Sequence, residues 1–113
     1  MKEFKFSYDE SNDDLFVYLD GAKSSGAIEF GNLVMDFDEK ENLVAIQIIN
    51  ASEFISKLVS KIIEISKIVS IKAEVINFRN IAGLKLKIRT EKDEVSSNIL
   101  VPRIKQHSPA LYH

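Results

Sequence analysis

The sequence predicts an α+β domain: an antiparallel four-strand meander, one amphipathic helix, then about three further antiparallel strands. Three observations carry that expectation. Apolar residues alternate with a period of two across the first fifty positions. They shift to helical spacing after Asn50, and the period of two returns from Val69. At 113 residues, one domain is expected over 1–105, with the meander at 1–50, the helix at about 51–68, strands at about 69–102 and a C-terminal tail at 106–113.

Phe4, Phe6 and Tyr8 alternate with Lys5 and Ser7, as a half-buried strand requires. The acidic turn "DESNDD" leads into a second strand, where Leu15, Val17 and Leu19 face one way and Phe16 and Tyr18 the other. Two apolar faces suggest a strand covered on both sides or paired with another copy. "DGAKSSGA" has the Gly/Ser punctuation of a loop. "IEFGNLVMDFD" reads as a third strand with a glycine irregularity at Gly31, "DEKEN" as a polar turn, and "LVAIQIIN" as the fourth strand. Asn50 and Glu53 have the spacing of a capping box. Beyond them Phe54, Leu58, Ile62 and Ile65 form one helical stripe, with Ile55, Val59 and Ile63 beside it.

In the second half, Val69, Ile71, Ala73 and Val75 alternate with Ser70, Lys72 and Glu74. The consecutive Val75 and Ile76 suggest a bulge there, and Gly83 is expected in the turn "RNIAG". "LKLKIRT" puts Leu84, Leu86 and Ile88 inward and Lys85, Lys87 and Arg89 outward, and "VSSNILV" is a last strand ending at Pro102.

Composition excludes several functions. The chain has no cysteine, so disulfides, iron–sulfur clusters and thiolate zinc sites are ruled out. No apolar run approaches the roughly 18 residues of a membrane span, and "MKEFKFSYDE" lacks a signal peptide's apolar stretch, so a cytoplasmic protein is expected. The net charge of −2 hides a polarity. Twelve acids stand against four bases through Glu53, and five acids against eleven bases thereafter. Acidic and basic faces that complement each other, within one molecule or between copies, account for this without nucleic acid.

The stretches "YDESNDDLFVYL" and "GNLVMDFDEKENLVAIQIINAS" resemble a small prokaryotic family known as domain of unknown function 2283. The resemblance runs from Tyr8 to Ser52. Tyr8, Asp9, Asp13 and Leu15 match its tyrosine–aspartate hairpin; Asp36, Asp38, Leu43, Val44, Ala51 and Ser52 match its second motif. Ala45 and Asp14 depart from the pattern, where a glycine and a small residue are usual. The resemblance implies a β-rich fold and brings no catalytic residues with it.

Chemistry-bearing candidates remain to be weighed. Asp9, Ser11, Asp13 and Asp20 fall at calcium-loop positions one, three, five and twelve, but Asp14 stands where that loop needs glycine. Asp9, Asp13, Asp36 and Asp38 are the candidates for a metal or paired-carboxylate site. Aspartates in turns more commonly bond neighbouring backbone N–H groups. His107 and His113 lie in the tail, and the sequence has no GxSxG nucleophile elbow. Lys85, Lys87 and Arg89 form a basic stripe whose spacing of about 7 Å suits phosphates, but no aromatic side chain is interleaved for stacking. The preferred expectation is a non-enzymatic association module, without cofactor, that binds itself or a small protein partner. Phe16 and Tyr18 are its candidate contact residues. A carboxylate enzyme and a nucleic-acid binder are the alternatives.

Overall fold

A computed structural model describes residues 1–59, 64–78 and 81–102. Its strands are β1 (Lys2–Asp9), β2 (Asp14–Tyr18), β3 (Gly26–Phe30), β4 (Leu33–Phe37), β5 (Leu43–Ile48), β6 (Ile68–Phe78), β7 (Ile81–Thr90) and β8 (Glu94–Pro102). One α-helix, α1 (Ala51–Leu58), and a 3-10 turn (Ile65–Lys67) lie between β5 and β6. All eight strands join one antiparallel sheet, ordered β3-β4-β5-β2-β1-β6-β7-β8 and curled into a half-barrel.

The alternation that suggested strands also sets the core. Phe4, Leu15, Val17, Met35, Ile46, Ile48, Ile71, Leu84, Leu86 and Ile88 are almost fully buried on the concave face. Ala51 and Ile55 of α1 are fully buried within the same cluster, with Phe54, Leu58 and Val59 packed against it. The helix thus fills the trough of the curled sheet, and the expected meander–helix–strands sequence holds in outline.

The first half has five strands where four were expected. "IEFGNLVMDFD" is a hairpin rather than one strand: Phe30 pairs with Leu33, and Gly31 and Asn32 make a two-residue turn. Gly31 has φ +59° while Asn32 does not have positive φ, the pattern of a type II′ turn, whose backbone twist matches that of the flanking strands. A Cβ added at Gly31 would meet nothing within 4 Å, so its cost comes from the backbone alone. Gly31→Ala is therefore expected to destabilise by about 1–2 kcal/mol, read as a lower urea midpoint with unchanged slope. Nor is the half a simple meander. β1–β2 is one hairpin, β3–β4–β5 a three-strand meander, and β2 pairs with β5 through Leu15↔Ile48 and Val17↔Ile46.

Three further local expectations are corrected. Helix α1 stops at Leu58, short of the expected end near residue 68. Ser60–Ile63 lie outside the described residues, but Glu64 is extended and Ile65–Lys67 make a 3-10 turn. A segment so rich in isoleucine and serine has little intrinsic helicity to continue a helix unaided. The register shift in β6 falls between Ile68 and Ser70, not at Val75–Ile76, so Val69 turns out to solvent and Ser70 is buried. Gly83 sits inside β7 opposite Ile76, not in a turn; Arg79 and Asn80 lie outside the described residues. The outward order Lys85, Lys87, Arg89 and the last strand to Pro102 hold as expected.

Candidate functional site

The acidic turn between β1 and β2 is built by its own side chains. Asp9 accepts hydrogen bonds from the backbone N–H of Ser11 (3.1 Å) and Asn12 (3.3 Å) and from the Asn12 amide (2.8 Å). The Asn12 side chain, helped by the two backbone donors, holds the Asp9 carboxyl below the usual carboxylate range against an opposing desolvation effect. Four residues on, Asp13 closes the loop at φ +53°, a left-handed conformation that aspartate tolerates better than most residues.

Asp13 then reaches out of the turn. Its backbone carbonyl accepts from the N–H of Ala51 (2.9 Å). Its carboxylate accepts from the Ser52 N–H (3.1 and 3.2 Å), the Ser52 hydroxyl (2.7 Å) and the Tyr8 hydroxyl (2.6 Å). The first turn of a helix presents N–H groups that need acceptors, and a carboxylate there is favoured by the helix dipole as well. Asn50, the expected cap, makes no side-chain cap bond and sits at φ +53°; Glu53 pairs instead with Lys57 at 2.8 Å. The cap of α1 therefore comes from 39 residues upstream.

Electrostatics agree with that role. Desolvation works to raise the Asp13 pKa, but the bonds from Tyr8 and from the Ser52 side chain and backbone outweigh it, and the net shift is downward. The Tyr8 phenol is pushed up to about 12, chiefly by its bond to Asp13, then by desolvation and the nearby acids. An ionised carboxylate with donors on both oxygens is the opposite of the raised-pKa acid that hydrolytic chemistry requires.

Asp38 repeats the turn device at the β4–β5 loop. It accepts from the backbone N–H of Lys40 and Asn42 (both 2.9 Å) and from the Asn42 amide (3.3 Å). The four candidate carboxylates are spread out. The Asp9–Asp13 turn lies at the C-terminal end of β5 and Asp38 at its start, about 17 Å apart by strand rise. Asp36 stands on the outer face of β4, opposite Ala45. Among the described residues no group of three or more His, Asp or Glu is placed to hold a metal ion. A cleft of about 490 Å³ lies between the starts of β1 and β5 and the middle of β6, lined by Lys2, Phe4, Glu41, Leu43, Glu74 and Val75 among others. None of the four aspartates lines it.

The basic stripe lies on one face of β7, as expected, but it is interleaved with acids. Lys87 pairs with Glu94 at 2.7 Å, and this bond is the main reason the Glu94 carboxyl is lowered. Lys85 stands opposite Glu74, Lys72 lies between Glu3 and Lys87, and Arg89 is opposite Glu94. Four cations facing three carboxylates make a mixed surface rather than a phosphate track. His107 and His113 lie outside the described residues.

The other candidates, Phe16 and Tyr18, are on the convex face of the first five strands. Leu15 and Val17 are fully buried beneath, while Phe16 is 40% exposed and Tyr18 half-buried. Phe16 lies in one cross-strand row with Gln47 and Val34, and Tyr18 in the next with Ala45 and Asp36. Ile76 and Leu100, flanking Gly83, form a separate exposed apolar spot on β6–β8.

The sequence reading gave turn roles to the aspartates but missed Tyr8 and Ser52 as partners of Asp13. Their only signal was their presence in the two motifs. The structure gives a role to every one of those motif positions except Asp36. Tyr8, Asp13 and Ser52 form the clamp; Asp9 and Asp38 build the two turns; Leu15, Leu43, Val44 and Ala51 are buried.

Comparison with known proteins coincides with this segment. An uncharacterized protein of Methanocaldococcus jannaschii, MJ0789, is 45% identical over 49 residues, which is 43% of this chain and 42% of that protein. The chain therefore matches less than half the length of this relative. No solved structure matches significantly. No helix among the described residues is long and apolar enough to cross a membrane. Residues 5–52, which hold the clamp, both turns and the outer aromatic pair, match the family described as "Protein of unknown function (DUF2283)".

Proposed function

We propose that this chain is a non-enzymatic association module whose contact surface is the convex face around Phe16 and Tyr18. One observation carries the reading. Phe16 is a large apolar side chain 40% exposed in the middle of a regular sheet, next to Tyr18 on the same face and in one row with Val34 across Gln47. Contiguous apolar surface on a sheet face marks a contact site more often than solitary exposed residues do. Three of the four candidate carboxylates, Asp9, Asp13 and Asp38, are engaged in turns and in the helix cap, which supports the same reading.

Sedimentation velocity at low and high salt tests it. The wild type is expected to associate with itself or with a small protein recovered by pulldown, and Phe16→Ser to weaken that association. Because Phe16 lies outside the core, the substitution should move folding stability by no more than about 1 kcal/mol. A strict monomer at both salt concentrations, with no partner recovered, would overturn the proposal.

A further inference from the structure

The last strand of the sheet leaves an open edge whose bonding groups are fixed by register. At the β7–β8 turn the Thr90 N–H donates to the Asp93 carbonyl (2.8 Å). Hydrogen-bonded positions alternate along an antiparallel pair, so Ile88↔Val95, Leu86↔Ser97, Leu84↔Ile99 and Ala82↔Val101 carry the bonds between the two strands. Glu94, Ser96, Asn98 and Leu100 therefore aim their N–H and C=O groups away from β7. Among the described residues no strand lies on that side. Proteins commonly blunt such an edge with a short strand, a lysine, a proline or a bulge. β3, the opposite edge, is five residues long. β8 runs nine residues in regular register, with no lysine and no proline before Pro102. Its side chains also want a neighbour: Val95 and Ile99 are half-buried, and Leu100 is 66% exposed.

We propose that β8 of a second copy adds antiparallel to this edge, about a two-fold axis normal to the sheet at Ser97. The site is separate from the face around Phe16, four strands away in the sheet order. The strand's own sequence argues for that occupant, because "VSSNI" is self-complementary about its centre. Ser97 meets the partner's Ser97, Val95 lies opposite the partner's Ile99, and Ser96 lies opposite the partner's Asn98. The apolar pair falls on the concave face, at a non-hydrogen-bonded position where side chains approach most closely. Glu94, already paired with Lys87, lies opposite the partner's Leu100, which covers its aliphatic stem. The two Glu94 residues stand about 20 Å apart, so no like charges face each other across the seam. In this register Glu94, Ser96, Asn98 and Leu100 of each copy use every edge donor and acceptor. A two-residue shift one way sets Glu94 against Pro102, which has no N–H. A shift the other way puts Leu100 opposite Lys92, outside the partner's strand.

Hydrogen exchange read residue by residue tests the edge. At high protein concentration the amides of Glu94, Ser96, Asn98 and Leu100 should be protected. On dilution they should exchange freely, while those of Val95, Ser97, Ile99 and Val101 stay protected. Non-hydrogen-bonded pairs stand about 4.5 Å apart at Cα, within disulfide reach. The chain has no cysteine of its own, so Ser97→Cys should oxidise to a covalent dimer and Glu94→Cys should not. Asn98→Pro removes an N–H that β7 does not use, which an edge strand tolerates. It deletes two bonds across the seam and should raise the dissociation constant roughly tenfold or more. Ser96→Lys, which leaves the backbone intact, should weaken the dimer as well. Phe16→Ser should leave all these readouts unchanged, because the step it weakens is the further association of the edge dimer. Edge amides that exchange freely at every concentration, or Ser97→Cys that stays monomeric on oxidation, overturn the edge dimer and leave the Phe16 reading standing. Edge amides protected at every concentration, with Ser97→Cys unlinked, mean that another segment occupies the edge and refute the second copy. An edge dimer whose further association ignores Phe16→Ser refutes the Phe16 reading alone.

Discussion

Asp13→Ala is expected to lower folding stability by roughly 2–4 kcal/mol, although the residue stands in a surface turn. Three losses combine. The first turn of α1 loses the acceptor for the Ser52 N–H and hydroxyl, the Tyr8 hydroxyl loses its partner, and alanine is forced to φ +53°. Asp13→Asn, which tolerates that φ and keeps one acceptor oxygen, should cost less, and urea melts of both rank the contributions. Acid sensitivity follows from the lowered folded-state pKa of Asp13. Its contribution is present above the unfolded carboxyl's pKa of about 4 and is lost as pH falls through the lower folded value. Asp9, Asp38, Glu53 and Glu94 are lowered too, so Asp13→Asn should reduce the acid slope without abolishing it. Tyr8 works with the opposite sign. Its contribution is present below the free phenol's pKa near 10 and lost as pH rises through about 12. The difference between the alkaline absorbance titrations of wild type and Tyr8→Phe isolates that phenol among the three tyrosines. A step near 10 instead of 12 would contradict the clamp.

Ile55→Ala should cost a similar amount for a different reason. Ile55 is fully buried and, with Ala51, is the side chain by which α1 sits in the trough of the sheet. Truncating a buried isoleucine removes transfer energy and leaves a cavity, together about 2–5 kcal/mol. Alanine's better helix propensity returns only about half a kcal/mol of this. Lys57→Ala, which breaks the exposed pair with Glu53 on the same helix, should cost under about 0.5 kcal/mol. Comparable losses for Ile55→Ala and Lys57→Ala would mean that the helix is not docked on the core.

Local periodicity was enough to find most strands, because each has one buried face that a one-residue slip would expose. It was not enough for Gly31. The alternation of Ile28, Phe30, Leu33, Met35 and Phe37 reads almost continuously across the turn, so a two-residue hairpin looked like an irregular strand. The Gly-Asn pair was the overlooked signal. Strand order lay outside any local pattern, since the pairing of β2 with β5 joins residues about thirty positions apart. At the acidic turn, the roles of Asp9 and Asp38 were legible because an aspartate bonding the next N–H groups is a local event. The bond from Ser52 to Asp13 is not local, and the adjacent Asn50 and Glu53 offered a plausible but incorrect cap. Phe16 and Tyr18 were legible as an outward pair because alternation alone fixes which face they take.

On the proposed reading the family-matching segment divides its labour: the Tyr8–Asp13–Ser52 clamp holds the fold, and the outer face around Phe16 is the proposed contact surface. Sedimentation equilibrium of wild type, Asp13→Asn and Phe16→Ser, each beside its urea melt and at a temperature where all are folded, tests that division most directly. The expected result is a crossed pattern. Asp13→Asn loses stability and associates like the wild type, whereas Phe16→Ser keeps its stability and associates at least tenfold more weakly. The contrary pattern, an Asp13→Asn protein of full stability that no longer associates beside a Phe16→Ser protein that does, would contradict it.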